Sequence, residues 1–280
     1  MNNDRLQPQR VEMKYLVTED VALGIRDFVS SHLELDSNCR GKPDNSYHNH
    51  SVYLDSEELR CYWDVINGNI NRFKLRMRFY TDDSAEPVFF EIKRRMNDAI
   101  LKQRGPVRRE AVAEILAGVT PQPHHLLDDH PKYVAAMHRF NQLMLLNWAA
   151  PKTHVCYLRE AWVSPTDNSV RVTLDREVCI TPKFTPEISI EMENPIMPWG
   201  RQVILELKFT GRFPNWFGEL ARVFGIMQCG VAKYAEGVSA LGPARLSPSN
   251  VTYHQQTLAD NFTNARQRGR ARITSEASLT

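Results

Sequence analysis

Arg72, Lys74, Arg76 and Arg78 stand two residues apart, with Phe73, Leu75, Met77 and Phe79 filling the places between. On a strand this spacing puts four cations on one face and four apolar side chains on the other. The alternation recurs. Glu91, Lys93 and Arg95 alternate with Phe90 and Ile92; Glu206 and Lys208 oppose Val203, Leu205, Leu207 and Phe209; Arg159 and Arg171 sit among apolar neighbours. Between residues 72 and 109 there are 11 Lys/Arg against 5 Asp/Glu, in a chain whose net charge is only +2. Four like charges on one face are costly unless carboxylates, a metal ion or a polyanion offset them. A surface built for solubility alone mixes both signs.

The chemistry such a set could do is the capture of phosphate. Arginine grips two oxygens with its planar fork, and lysine serves as a movable point charge. Phosphoryl transfer asks mainly for aligned donor and acceptor, with positive charge where the transferring oxygens become more negative. A carboxylate such as Glu206 can hold a hard cation bridging phosphate oxygens. Neither GxxxxGK[ST] nor GxGxxG occurs in the chain, so the common glycine-loop routes to phosphate are not in use.

These residues need strands to carry them, and two periodicities alternate along the chain. Strands are predicted at 9–17, 47–55, 70–81, 86–96, 99–104, 153–163, 169–175, 176–181 and 202–210, with a further candidate at 187–193. Thr18-Glu19-Asp20 opens a helix to about His32. Ser56-Glu57-Glu58 opens one to about Gly68, Pro106 one to Gly118, and Pro214 a last clear one to Gly225. Residues 132–148 also have helical spacing, whereas 36–46 and 120–131 read as loops. Two architectures fit. In one, an ordinary sheet turns its charged face to water. In the other, a closed barrel holds the charges inside while amphipathic helices cover its apolar exterior.

At 280 residues with 42% hydrophobic and 24% charged side chains, the chain can bury a sizeable core. Its five scattered cysteines lack a CxxC pair and suit reduced thiols better than a disulfide framework. The opening MNNDRLQPQR has no apolar core, and no apolar run approaches the ~18 residues that would span a bilayer. A soluble, cytoplasmic protein is expected, with no membrane segment. The net charge makes no case for a specific nucleic-acid partner.

Taken in order, the strand motifs are Arg10-x-Glu12-x-Lys14-Tyr15, Lys74-Leu-Arg76-Met-Arg78, Glu91-Ile-Lys93, Lys102-Gln-Arg104, Tyr157-x-Arg159, Arg171-x-x-x-Asp175, Glu206-x-Lys208 and Lys233-Tyr234. This ordered set resembles the polyphosphate polymerase (VTC) branch of the triphosphate tunnel metalloenzymes, over roughly residues 9–240. The resemblance implies an α+β fold: an antiparallel eight-stranded β-barrel tunnel with a polar, basic lumen flanked by covering helices. Residues 1–8 would be an N-terminal extension, 9–242 the tunnel domain and 243–280 a polar, disordered tail. By matching motifs, Lys14, Arg76, Arg78, Lys93, Arg159 and Arg171 would be catalytic. Lys102, Arg104, Tyr157, Lys208 and Lys233 would bind substrate phosphate. Glu206 would hold Mn²⁺ or Mg²⁺, with Glu12 and Glu91 as further candidates. The partners implied are ATP and inorganic polyphosphate.

Two details bear on the activity. Triphosphatase and cyclase members tend to carry Glu-x-Glu-x-Lys on the first strand, and the first position here is Arg10, as in the polymerase branch. Members of that branch often end with Lys-x-Ser-Lys, where this chain has Gly230-Val231-Ala232-Lys233. Three activities are thus in view: a polymerase extending polyphosphate from ATP, a triphosphatase or polyphosphatase of the same fold, and a polyphosphate-binding module. The remaining features carry bland readings. His124, His125, Asp128, Asp129 and His130 read as a solvated loop. His48 and His50, on one strand face, read as satisfied polar histidines. Trp148, Trp162, Trp199 and Trp216 read as core or interface packing residues, and Arg266, Arg268, Arg270 and Arg272 as a disordered, solvated end.

Overall fold

A computed structural model describes residues 10–97, 99–167 and 169–247. The alternating segments form β1 (Arg10–Val17), β2 (Glu34–Leu35), β3 (Tyr47–Asp55), β4 (Arg72–Phe79), β5 (Val88–Met96), β6 (Ala99–Val107), β7 (Ala150–Val163), β8 (Val170–Pro182) and β9 (Val203–Thr210). Eight of them lie in the order β1-β9-β8-β7-β3-β4-β5-β6, every pair antiparallel, and β2 adds a two-residue pairing on β7. The sheet curls until β1 and β6 come within 8 Å by Cα, but no ladder of hydrogen bonds joins them. An ion pair of 2.7 Å between Lys93 on β5 and Glu12 on β1 spans that seam from inside. The barrel is therefore closed by side chains at one seam and by backbone everywhere else.

The helices are α1 (Glu19–Ser30), α2 (Arg60–Ile66), α3 (Val112–Leu116), α4 (Pro131–Leu146), α5 (Asn215–Val223), α6 (Lys233–Leu241) and α7 (Pro243–Leu246). Most cover the outward apolar rows. Ala22, Ile25 and Val29 line one face of α1, and with Phe217 and Leu220 of α5 they bury Val203, Leu205 and Leu207 of β9. Met137, Phe140 and Met144 of α4 do the same for Leu75, Met77, Phe90 and Ile92. Gly105 permits that approach, since a Cβ there would stand 2.6 Å from Met137 Cγ. A third cluster differs: inward-facing Tyr53, Val155, Tyr157 and Ile204 pack on Tyr234, Ala235 and Val238, so α6 lies across the interior at one set of strand ends.

Several boundaries differ from the sequence expectation, each for a local reason. Pro106 does not start a helix but stays in β6 opposite Phe89, on an edge strand where its missing N–H costs no ladder bond. A short 3-10 turn and α3 follow instead. The stretches 169–175 and 176–181 are one strand, kinked where Tyr157 faces both Glu177 and Val178 in a β-bulge. Residues 187–193 form no strand. The helix after Ser56 begins only at Arg60, because Leu59 takes a left-handed conformation (φ 55°). Lys233 and Tyr234 lie in the first turn of α6, not on a strand, and α6 makes the helix opened by Pro214 no longer the last. The folded chain continues into α7, with Leu246 buried. Residues 1–8 and 248–280, including the four tail arginines, lie outside the described residues. Among the described residues no helix is long and apolar enough to cross a membrane.

Candidate functional site

The strand alternation decides which side chains point inward. Arg76 and Arg78 of β4 meet Tyr53 and Ser51 of β3 and Glu91 of β5 on the inner face. Arg76 Nε donates to Glu91 Oε2 at 2.7 Å, and Lys102 of β6 reaches Glu91 Oε1 at 2.6 Å. Burial alone would raise the Glu91 pKa, but Arg76 and Arg78 pull it well below the usual carboxylate range. Arg78 has no carboxylate partner among the described residues; it donates to Ser51 Oγ at 3.3 Å and Tyr157 Oη at 2.9 Å. Lys74 has none either, and burial pushes its ammonium down to about 8. Arg104 lies over the Phe89 ring, 4.7 Å from its centroid.

On the opposite wall the charges are compensated. Arg159 of β7 grips Asp175 of β8 with two bonds of 2.6 and 2.7 Å, and Lys233 reaches the same carboxylate at 2.6 Å. Glu206 of β9 collects Lys208 at 2.5 Å, Lys233 at 3.1 Å, Arg159 at 3.4 Å and Lys14 at 3.6 Å. Burial would raise the Glu206 pKa, yet these cations hold it well below its ordinary value. Burial outweighs Glu206 at Lys208, bringing that ammonium down to about 8. Glu12 is held at about 2, where the charges of Lys93 and Lys208 overcome the opposing effect of burial. Arg171 sits 3.0 Å from Asp36.

Together these side chains line a cavity of about 630 Å³. Eleven Lys and Arg border it against two carboxylates, Glu12 and Glu206. Even with Glu91 and Asp175 counted behind them, the lumen holds a large excess of positive charge. The charged faces thus converge on one shared cavity instead of spreading over an open sheet.

Of the residues the sequence singled out, Lys14, Arg76, Arg78, Lys93, Lys102, Arg104, Tyr157, Arg159, Arg171, Lys208, Lys233, Glu12 and Glu206 all border this cavity, and Glu91 stands directly behind Arg76 and Lys102. Arg10 pairs through its backbone with Thr210 on β9. Lys74, Tyr47, Tyr53, Tyr80 and Asn38 also border the cavity, and Asp175 stands behind it against Lys233. Lys74 and Asp175 were in the quoted motifs, on the same strand faces as Arg76 and Arg171. Tyr53 follows from alternation on β3, but nothing local marks Asn38, which reaches the cavity from a loop.

The bland readings divide. His125 is buried 3.6 Å from Glu114, and the His130 ring caps α4 by accepting from the Lys132 amide at 3.2 Å. Trp199 is buried and donates to Glu236 at 3.0 Å. Trp148 is no packing residue within this chain: after the end of α4 it takes φ 48° and is 88% exposed. His48 and His50 face away from the lumen, toward Phe79 and Cys156.

No curated protein matches the sequence. Among solved structures, the PH1819 protein from Pyrococcus horikoshii OT3 is similar at 12% identity and TM-score 0.42, over 83% of this chain and 99% of that one. A putative adenylate cyclase from Vibrio parahaemolyticus is similar at 11% identity and TM-score 0.40, over 83% and 98%. The family model described as the VTC domain matches residues 9–242, most of the chain and all nine strands. This chain belongs to the VTC-domain family.

Proposed function

We propose that this protein is a polyphosphate polymerase that moves the terminal phosphoryl group of ATP onto a growing polyphosphate chain. The observation carrying the reading is the concentration of eleven cations against two carboxylates around one cavity. In a low-dielectric space such charges attract a polyanion far more strongly than on a surface. Lys74, Arg78 and Arg104, which have no carboxylate ion-pair partner among the described residues, mark where phosphate gains most on entry. Lys14, Arg76, Arg78, Lys93, Arg159 and Arg171 would bear on the transferring phosphoryl group, while Lys102, Arg104, Tyr157, Lys208 and Lys233 hold the phosphates on either side. A terminal oxygen of the acceptor attacks the γ-phosphorus, the bond to ADP breaks, and a new phosphoanhydride forms. No proton-transferring side chain is needed at that step, because the attacking oxygen is already ionised.

Among the described lumen residues no three carboxylate, His or Cys groups come together, and Glu206 is already surrounded by ammonium and guanidinium groups. This fits Mg²⁺ or Mn²⁺ in one respect: such ions commonly take one or two carboxylates and complete their shell with substrate phosphates and water. Glu206, with Glu12 beside it, would hold the ion. Once bound, the ion would neutralise charge developing between the transferring and leaving oxygens.

Arg10 in place of a first-strand carboxylate favours polymerase over triphosphatase, since it withdraws a second metal ligand. Incubation of the purified chain with ATP and Mn²⁺, and electrophoresis of the product, tests the reading. Polyphosphate ladders are expected. Orthophosphate released from tripolyphosphate, with no ladder from ATP, would select the hydrolase instead. Tight binding without turnover would select the binding module.

A further inference from the structure

The outer wall of the barrel carries a group that the lumen chemistry does not use. His50 on β3 lies directly opposite Cys156 on β7, and His48 is the next residue on the same face. Cys156 Sγ is 3.6 Å from His50 Nε2 and 3.9 Å from His48 Nδ1, and all three ligand atoms lie within 4.8 Å of one another. A tetrahedral ion with bonds of about 2.0–2.1 Å to nitrogen and about 2.3 Å to sulfur places N and S about 3.5 Å apart. The side chains stand close to that separation before any ion is bound. Among the described residues this is the one cluster of His, Cys, Asp or Glu so disposed.

We propose that His48, His50 and Cys156 bind a thiophilic cation of the Zn²⁺ class, on the face of the β3–β7 ladder that looks away from the lumen. The donor set of two imidazoles and a thiol selects a borderline-soft ion over Mg²⁺ or Ca²⁺, which require oxygen. On binding, the Cys156 S–H bond breaks, the metal–sulfur bond forms and the proton passes to solvent. The ring of His50 is oriented from behind: its other nitrogen, Nδ1, stands 3.1 Å from His154 Nε2, and His154 is itself buried. Such a partner fixes which nitrogen faces the ion. His50 and Cys156 are buried, whereas His48 is exposed and gives the ion a path from solvent. The fourth position would be taken by water.

The placement gives the site a structural task. Ser51 and Tyr157, both bonded to Arg78, sit on the inner face of these two strands. An ion joining His48 and His50 to Cys156 would clamp β3 to β7 behind them.

The test uses the full chain, stripped with chelator and titrated with Co²⁺, a spectroscopic substitute for Zn²⁺. One equivalent should bind with thiolate-to-cobalt charge-transfer absorption in the near ultraviolet, and Zn²⁺ should displace it. Lumen-bound cobalt would show no thiolate band. Cys156→Ser should abolish the band, and Cys179→Ser should leave it. His48→Gln, at an exposed position that the fold tolerates, should weaken binding by at least about tenfold. Zn²⁺ should also raise the Tm of the native chain more than that of His48→Gln. The assignment is overturned by absence of the band, by its survival in Cys156→Ser, by its loss in Cys179→Ser, or by equal Zn²⁺-induced Tm shifts in the native chain and His48→Gln.

Discussion

Arg78 and Arg159 show how two similar side chains in one cavity come to have different value. Arg159 is tied to Asp175 by two bonds, so an incoming phosphate must share it. Arg78 has only hydroxyl partners and keeps its charge available. Arg78→Ala should therefore weaken tripolyphosphate binding more than tenfold, since a hydrogen bond to a charged group contributes about 1.5–3 kcal/mol. Arg171→Ala removes a cation already paired with Asp36 and should weaken binding less; calorimetry on both variants checks the ranking. Glu206→Gln tests the opposite sign. It removes the carboxylate shared by four cations, so binding of tripolyphosphate should persist or tighten. Affinity for Mn²⁺ in the lumen should fall by at least about tenfold, and turnover with it. Equal Mn²⁺ dependence in mutant and native protein would remove Glu206 from the metal's coordination.

At the scale of elements, α6 matters most for the site because it carries Lys233 and lies across the barrel interior. Gly237 makes that position reachable: a Cβ there would run into the Ile180 side chain of β8. Alanine ordinarily favours a helix over glycine, by roughly 1 kcal/mol, but overpacking a filled core costs about 1–3 kcal/mol. Gly237→Ala should thus lower Tm, and it should weaken tripolyphosphate binding by moving Lys233 away from Asp175 and Glu206. A thermal melt together with a binding titration reads both effects. An unchanged melt would mean that Ile180 yields at no cost.

For the whole molecule, net charge hides an imbalance: a chain of net +2 concentrates its cations inside. The pH response follows. Burial takes Lys74 and Lys208 from 10.5 to about 8 in the folded chain. Between about 8 and 10.5 the unfolded chain holds more protons, so stability without ligand should rise with pH across that window. Polyphosphate needs the ammoniums charged, so its affinity should fall as pH climbs from 7 to 9. Melting curves at several pH values, with and without tripolyphosphate, separate the two trends. A concentration 100-fold above the Kd at pH 7 should add about 2.7 kcal/mol of stability there, and the same concentration should add less at pH 9.

The inner and outer faces of β4, β5 and β9 could be read from residue types alone, because a strand alternates sides with a fixed period of two and Arg76 cannot share a face with Leu75 or Met77. For that reason nearly every named cation of the lumen was legible, and Lys74 and Asp175 could have been assigned from the same faces. Tertiary structure decided what periodicity does not encode. Curling of the sheet turned a charged face inward, a choice between two architectures that have the same alternation. Packing of α6 brought Lys233 and Asp175 together from 58 positions apart in the chain. Antiparallel register set His50 opposite Cys156, and only cross-strand contact could make a cluster of residues that look unrelated in sequence.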